Sequence, residues 1–391
     1  MNMLERARRA APHLREHASR NEQLGQLADP VVAELEAGGF FGLFTPRAVG
    51  GAELPPVQAV EVIEELARAD ASTAWVTFAV GLCTGAAGAY LGDAAVDRLF
   101  RGGQVPVTAG QGIPNGKAVV EKNGYRLSGS WSYGSGSKHA PYIHTGAIVH
   151  ENGAPRLDAH GAPEVRIFYV PREAVSFGDN WDVIGLRGTG SIDYSVQDVF
   201  VEEDWTYAAR VTQPRRGGAF FRLGTIGIGA LGHTAFALGV GRRILDELAA
   251  FAQAKAGRPG SIADSESFLE GYARAEASLR AARALVIDTW GTLERELDAE
   301  RAATTRQLTS VRLALNHATW TAVEVCTFAY RAAGGVSLRA GTIQRYYRDM
   351  LAASQHVTSS PPILRDCGRD LAGLAQDRVW AFMGLVQPRR A

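Results

Sequence analysis

At 391 residues the chain exceeds the usual size of a single hydrophobic core, so two or three substructures are expected. Lysine plus arginine equals aspartate plus glutamate at 41 each, and this zero balance gives no footing for nucleic acid or an anionic membrane as partner. Three cysteines, Cys83, Cys326 and Cys367, stand far apart without CxxC spacing, which argues against a disulfide framework or a cysteine-rich metal site and for a reducing, cytoplasmic compartment.

Residues 1–104 read as helical. The opening MNMLERARRAAPHLREHASR is charged throughout and has no apolar core of a secretory signal. Val31, Val32, Leu35 and Phe40 recur near helical spacing until Gly38-Gly39. A loop then leads to a long helix from about Val57, almost wholly apolar after Asp70 and so expected to be buried on most sides. His13 and His17 are four apart, a ligand-compatible separation, but with no third candidate recognised beside them they read as a solvated helix face, and no metal is expected.

From 105 to 216 the period changes to two, in runs such as HTGAIVH, VRIFYVP and SIDYSVQDVFV broken by glycine or proline. Several short strands at this spacing predict a small barrel or sandwich, with Phe168 and Val170 facing its core opposite Ile167 and Tyr169. The stretch Gly124–Ser137, GYRLSGSWSYGSGS, reads as strand, tight corner and strand. A tryptophan, Trp131, followed by Ser132, Ser135 and Ser137 offers a flat apolar wall beside hydroxyls, a surface suited to a planar heteroaromatic ring. Taken alone, the same stretch reads first as an ordinary solvent-facing hairpin.

After 217 the helical pattern returns, with helices expected over 219–254, 264–297, 301–333 and from 342 to the end, enough for a bundle across 217–391. Phe220–Val240 is the longest apolar run, yet it carries Arg222, His233 and several glycines, which predicts a buried, closely packed helix rather than a bilayer span. His233 there is either a substrate contact or core filler. LGVG and GLRGTG lack the strand–helix context of a dinucleotide fingerprint.

With this order of helices, strands and helices in hand, the sequence resembles the acyl-CoA dehydrogenase superfamily over essentially its whole length. Three segments, GYRLSGSWSYGSGSKHA, DNWDVIGLRGTGSIDYSVQDVFV and AAGGVSLRAGTIQRYYRDMLAASQH, are most similar to its two-component flavin-dependent monooxygenases. The resemblance implies a mainly α fold with a central β domain: an N-terminal α domain, a β-barrel domain and a C-terminal four-helix bundle, as a homotetramer or homodimer. It implies reduced flavin, as FADH2 or FMNH2, delivered by a separate reductase. It further implies O2 as co-substrate, a C4a-(hydro)peroxide, and hydroxylation of a small phenolic or indole-like compound.

By the same resemblance, Trp131, Ser132, Ser135, Arg187 and Thr189 border the flavin ring, and Gly334 and Gly335 let a helix end approach it. Lys255, with Arg242 and Arg243 beside it, is a candidate for the flavin phosphate, and Arg345 and Arg348 sit in the basic helix before the last active-site segment. A dehydrogenase needs a carboxylate to remove the proton next to its thioester. No Asp or Glu occurs from Met350 to Arg365 or from Trp205 to Leu245. His356 takes the vacant place, and an imidazole that titrates near ~6.5 suits proton exchange with a phenol or indole around neutrality. His356 is therefore the first catalytic candidate, with Ser135 and His233 behind it, and His139 is as readily packing as chemistry. The alternatives are an acyl-CoA dehydrogenase or oxidase with a displaced base, and a helical scaffold without catalysis.

Overall fold

A computed structural model describes residues 1–158, 161–381 and 383–387. The first block holds α1 (Met3–Leu24), α2 (Asp29–Ala37), α3 (Pro56–Ala69), α4 (Ala71–Tyr90) and α5 (Asp93–Leu99). A capping box between Asn2 and Glu5 opens α1 by satisfying two otherwise free N–H groups. The single helix expected after Val57 is two helices. Asp70 takes an extended backbone, and its carboxylate accepts from the Thr73 N–H at 3.0 Å, capping α4. The same carboxylate accepts from the Thr73 hydroxyl at 2.6 Å and from Asn21 at 3.1 Å, so α1, α3 and α4 are pinned at one point.

The middle block holds β1 (Thr108–Glu121), β2 (Gly124–Trp131), β3 (Tyr142–Glu151), β4 (Ala154–Pro155), β5 (Val165–Pro171), β6 (Ser176–Phe177), β7 (Tyr194–Glu202) and β8 (Thr206–Ala208). They form one sheet in the order β6-β7-β2-β1-β3-β5-β8, with β4 paired to β3. β1 and β3 run parallel and the other pairs antiparallel. The expectation that β5 buries one face is too narrow, because Ile167, Phe168, Tyr169 and Val170 are all at most 2% exposed. α4 is packed close to this strand: the Tyr169 hydroxyl donates to the Cys83 carbonyl at 2.6 Å. Phe168 meets the Tyr125 ring edge-on.

The last block holds α6 (Gly224–Lys255), α7 (Glu266–Asp298), α8 (Thr305–Ala332), α9 (Thr342–Ala353) and α10 (Pro361–Leu371), followed by the hairpin β9 (Val379–Ala381) and β10 (Gly384–Val386). By length and composition α6 could cross a membrane, but its most apolar window is mostly buried against neighbouring helices. Gly232 and Gly239 make that packing possible: a Cβ at either would fall 2.6 Å from the Phe78 ring or 2.3 Å from the Glu64 carbonyl. The helix expected from 342 onwards breaks after Ala353. Ser360-Pro361-Pro362 starts a new helix, since proline in its first turn lacks only an N–H that would have no partner there. The intervening turn Val357–Ser359 is capped by His356.

Candidate active site between the sheet corner and the helix bundle

The glycine-rich half of α6 and the break after α9 bring two histidines face to face. The His233 and His356 ring centroids are 4.0 Å apart with 31° between their planes. Trp75 of α4 stands edge-on to both, at 5.0 and 6.0 Å, and to Phe78 and Phe236 at 5.1 Å each. Trp75, His233, Phe236, Ala237 and Met350, with Ala353 and the hydroxyl residues Thr319 and Ser359, enclose a cavity of about 10 Å³, room for one water. No charged side chain lines it.

Burial disfavours the charged imidazolium. It lowers the pKa of His356 to about 4 and drives that of His233 well below the ordinary value, the neighbouring His356 adding to the effect. Both rings are therefore neutral around pH 7. His356 Nδ1 lies 2.8 Å from the Thr358 hydroxyl and receives the Thr358 N–H at 3.4 Å. A backbone N–H can only donate, so Nδ1 is the acceptor and the neutral ring carries its proton on Nε2, which donates. His139 lies elsewhere, in the turn Ser137–His139, with burial lowering its pKa and Nε2 buried without a partner.

At the corner after β2 the two aromatic residues are turned opposite ways. Trp131, expected against a ligand ring, is 1% exposed. Its Nε1 donates to the Gly146 and Ile113 carbonyls at 2.9 and 3.1 Å, and its ring stacks on Tyr194 at 5.6 Å. Trp131 is thus a core residue with no free face in this chain. Tyr133, two residues on, has φ +67 and is 66% exposed, its ring edge-on to Trp181 at 6.4 Å. Ser132 next to it is half-buried.

Ser135 is joined to the histidine cluster, because the Trp75 indole N–H donates to Ser135 Oγ at 3.1 Å. From Ser135 a line of hydroxyls runs inward: Ser191 at 2.6 Å, then Thr189 at 2.7 Å, which donates to the Leu186 carbonyl at 2.8 Å. Thr189 is therefore internal, whereas the Arg187 side chain is exposed. Leu186 has φ +54, and its N–H is held by Asp349 Oδ1 at 2.6 Å. Asp349 is buried, and burial, with smaller contributions from Asp70 and Glu22, pushes its carboxyl up to about 7.

The cations expected near flavin are largely engaged elsewhere. Arg345 donates to Ser19 at 3.0 Å. Arg348 binds the Ile184 carbonyl at 2.7 Å together with Gln344 and the Glu22 carboxylate. Both tie α9 to α1 and serve structure first. Arg242 pairs with Asp246 and Glu276, and Arg243 with Glu247. Lys255 ends α6 with its ammonium 5.8 Å from the Phe251 ring. Gly334, at φ +61, and Gly335 are exposed with open space where a side chain would begin. They follow the end of α8, where Thr327, Phe328 and Arg331 face Ser261, Ser265, Ser267 and Phe268 across a cleft of about 730 Å³. Hydroxyls, the Arg331 guanidinium, the Glu324 carboxylate and the Phe268 and Phe328 rings, stacked on each other at 6.4 Å, line it. On α1 the third ligand candidate beside His13 and His17 is Glu16, the three groups lying within 4.8 Å of one another at the surface.

The acyl-CoA dehydrogenase N-terminal domain model matches residues 3–97 and the C-terminal domain model residues 231–361, together more than half of the chain. The chain belongs to the acyl-CoA dehydrogenase family. Within that family it is 28% identical over 369 residues to an indole-3-acetate monooxygenase of Acinetobacter baumannii, covering 92% of each chain. Two solved structures share the fold. A 3-HSA hydroxylase from Rhodococcus has TM-score 0.86 and 24% identity over 96% of this chain and 97% of that one. XiaF from Streptomyces, in complex with FADH2 and glycerol, has TM-score 0.85 and 23% identity over 100% and 96%.

For a member of the acyl-CoA dehydrogenase family, the cavity is notable for lacking an acid. The buried carboxylate next in sequence, Asp349, points at the Leu186 N–H and does not line it. Trp75, Tyr133, Ser191 and Thr358 were not identified from sequence. Trp75 had a signal, since an indole inside the apolar run Ala71–Tyr90 needs a buried acceptor for its N–H. Ser191 had none, because its approach to Ser135 depends on how β2 pairs with β7.

Proposed function

We propose that this protein is the oxygenase component of a two-component flavin-dependent monooxygenase that hydroxylates a small, uncharged phenolic or indole-like compound. The observation that carries the reading is the neutral His233–His356 pair beside an aromatic cavity that His233 lines and no carboxylate does. Reduced flavin, when bound, supplies two electrons to O2, so that one oxygen atom enters the substrate as hydroxyl and the other leaves as water.

The protein's own contribution is binding, proton handling and dryness. Tyr133, Ser132 and Ser135 offer a ring surface and hydrogen-bonding edge for the flavin head. The cleft with Arg331 and the three serines, beside Gly334 and Gly335, offers a seat for a phosphorylated tail. Thr358 holds His356 Nδ1 as the acceptor, so Nε2–H donates to a phenol oxygen, a role available because the ring is neutral before substrate arrives. His233 and Trp75 keep water away. A cavity that takes benzene is about 150 Å³, so a ring can enter the present cavity of about 10 Å³ only if Trp75 or the turn carrying His356 gives way.

A reductase partner follows from this reading. A homotetramer is proposed on the exposed apolar side chains Val336, Leu338, Leu371 and Leu374 of the C-terminal block. A cytoplasmic setting fits three buried, unpaired cysteines. The test is His356→Ala supplied with reduced FAD or FMN, O2 and a panel containing resorcinol and indole. Product per reduced flavin consumed should fall and hydrogen peroxide rise. Unchanged coupling and rate would remove His356 from the chemistry.

A further inference from the structure

We infer that the outer face of α1 binds one divalent transition-metal ion, of the zinc, nickel or copper class, between His13, Glu16 and His17. The site shares no residue with the cluster around His356 and is independent of flavin.

The two histidines are four residues apart on a helix, so their side chains lie one above the other on a single face. Their ring centroids are 4.4 Å apart with 48° between the planes, and each residue is partly buried. Glu16, three residues after His13, brings an exposed carboxylate to the same place, and one ligand atom from each of the three lies within 4.8 Å of the others. Ligands bonded to one ion at about 2.0–2.2 Å stand within about 4.2 Å of each other, so the group has to draw in by less than about 1 Å. A turn of the exposed Glu16 side chain supplies that.

The ligands are held ready in two ways. His17 Nδ1 lies 3.0 Å from the His13 carbonyl, which can only accept, so Nδ1 of the neutral ring carries the proton and Nε2 presents its lone pair. A backbone carbonyl behind the ring is the usual outer support of a metal-binding imidazole. The helix beneath is fixed as well: Ala10, Ala11, Leu14 and Ala18 are buried, Asn2 and Glu5 cap its start, and Asn21 donates to Asp70 near its end. Little ordering is left for the ion to impose.

The class of ion follows from the donors and the charge around them. One carboxylate, flanked along the helix by exposed Arg9, Arg15 and Arg20, is too little for magnesium or calcium, which rely on several oxygen ligands. Two imidazoles and a carboxylate suit zinc, nickel or copper, with water in the remaining position. Arg15 is turned back to the Ala11 carbonyl at 3.1 Å. An ion there clamps one turn of the helix that holds α9 through Ser19 and Glu22.

The experiment is calorimetric titration of the untagged, EDTA-treated full chain with zinc, nickel and magnesium chlorides, alongside thermal melts. Wild type should take up one zinc ion per chain at micromolar concentration, and zinc at about a hundredfold excess over its dissociation constant should raise the melting temperature by about 2–5 °C. Magnesium should do neither. His17→Ala and Glu16→Gln should each weaken zinc binding at least about tenfold and shrink the melting shift accordingly. Glu16→Gln, at an exposed position, should melt as wild type does when zinc is absent. No zinc uptake below about 1 mM, or uptake that both variants retain at full affinity, overturns the inference.

Discussion

His233 and His356 stack at 4.0 Å although no carboxylate lines the cavity beside them. Two imidazoles so close cannot both carry charge without strong repulsion, and burial already disfavours the first proton. The lowered pKa of His356, about 4, therefore sets where the site loses its neutral imidazole on acidification. The acid limb of kcat/KM for a phenolic substrate should fall near pH 4 to 5 rather than near 6.5, as a pH–rate profile of the reductase-coupled reaction would reveal. A limb at 6.5 would mean that the cluster opens before it titrates.

The same shift has a consequence for stability, and its sign is fixed by linkage. The folded pKa lies below the unfolded value, so the unfolded chain takes up the proton first. The stabilisation is complete above about pH 6.5 and is lost as pH falls from there to about 4. His356→Gln should flatten that segment of a urea-denaturation series, while leaving the series above pH 7 parallel to wild type.

Asp349 works in the opposite sense. Its folded pKa is raised to about 7, so stability is lost as pH climbs from about 4 through 7 and the folded carboxyl is made to ionise. Asp349→Asn keeps an oxygen for the Leu186 N–H without the charge, and should be at least as stable as wild type at pH 8. Asp349→Ala leaves that buried N–H unpaired and should cost about 1–3 kcal/mol by thermal or urea melting.

Trp131 and Tyr133 separate fold from function two residues apart. Trp131→Ala removes a ring that is 1% exposed and two hydrogen bonds, and should destabilise by about 3–5 kcal/mol. Tyr133→Ala removes a ring that is 66% exposed and should leave the melting temperature nearly unchanged while weakening flavin binding. Calorimetry and flavin titration on the two variants check both halves.

Part of this arrangement was legible in the chain. Trp131 is in phase with Tyr125 and Leu127, whose alternation marks the buried face of β2, so its inward turn could have been read from period two alone. The Asp-Ala-Ser-Thr sequence at residues 70–73 is a helix-start signature, and Ser-Pro-Pro at 360–362 is a helix break. The outward turn of Tyr133 is different, because it depends on a left-handed backbone at a non-glycine residue that only the folded corner imposes. The Ser135–Ser191 contact spans 56 positions and follows from strand pairing with a register shift, which no local pattern encodes. The engagement of Arg345 and Arg348 with α1 was likewise hidden, since Ser19 and Glu22 lie more than 300 residues upstream.

The account turns on oxygen transfer from a site built around neutral imidazoles. Its most direct measurement is a single turnover of the protein loaded with reduced flavin, mixed with isotopically labelled O2 and a phenol or indole from the panel. One labelled oxygen atom in the organic product, lost when His356 becomes alanine, is the predicted result. Unlabelled product, or bleaching of bound oxidised flavin by an acyl thioester in the absence of any reductase, would contradict it.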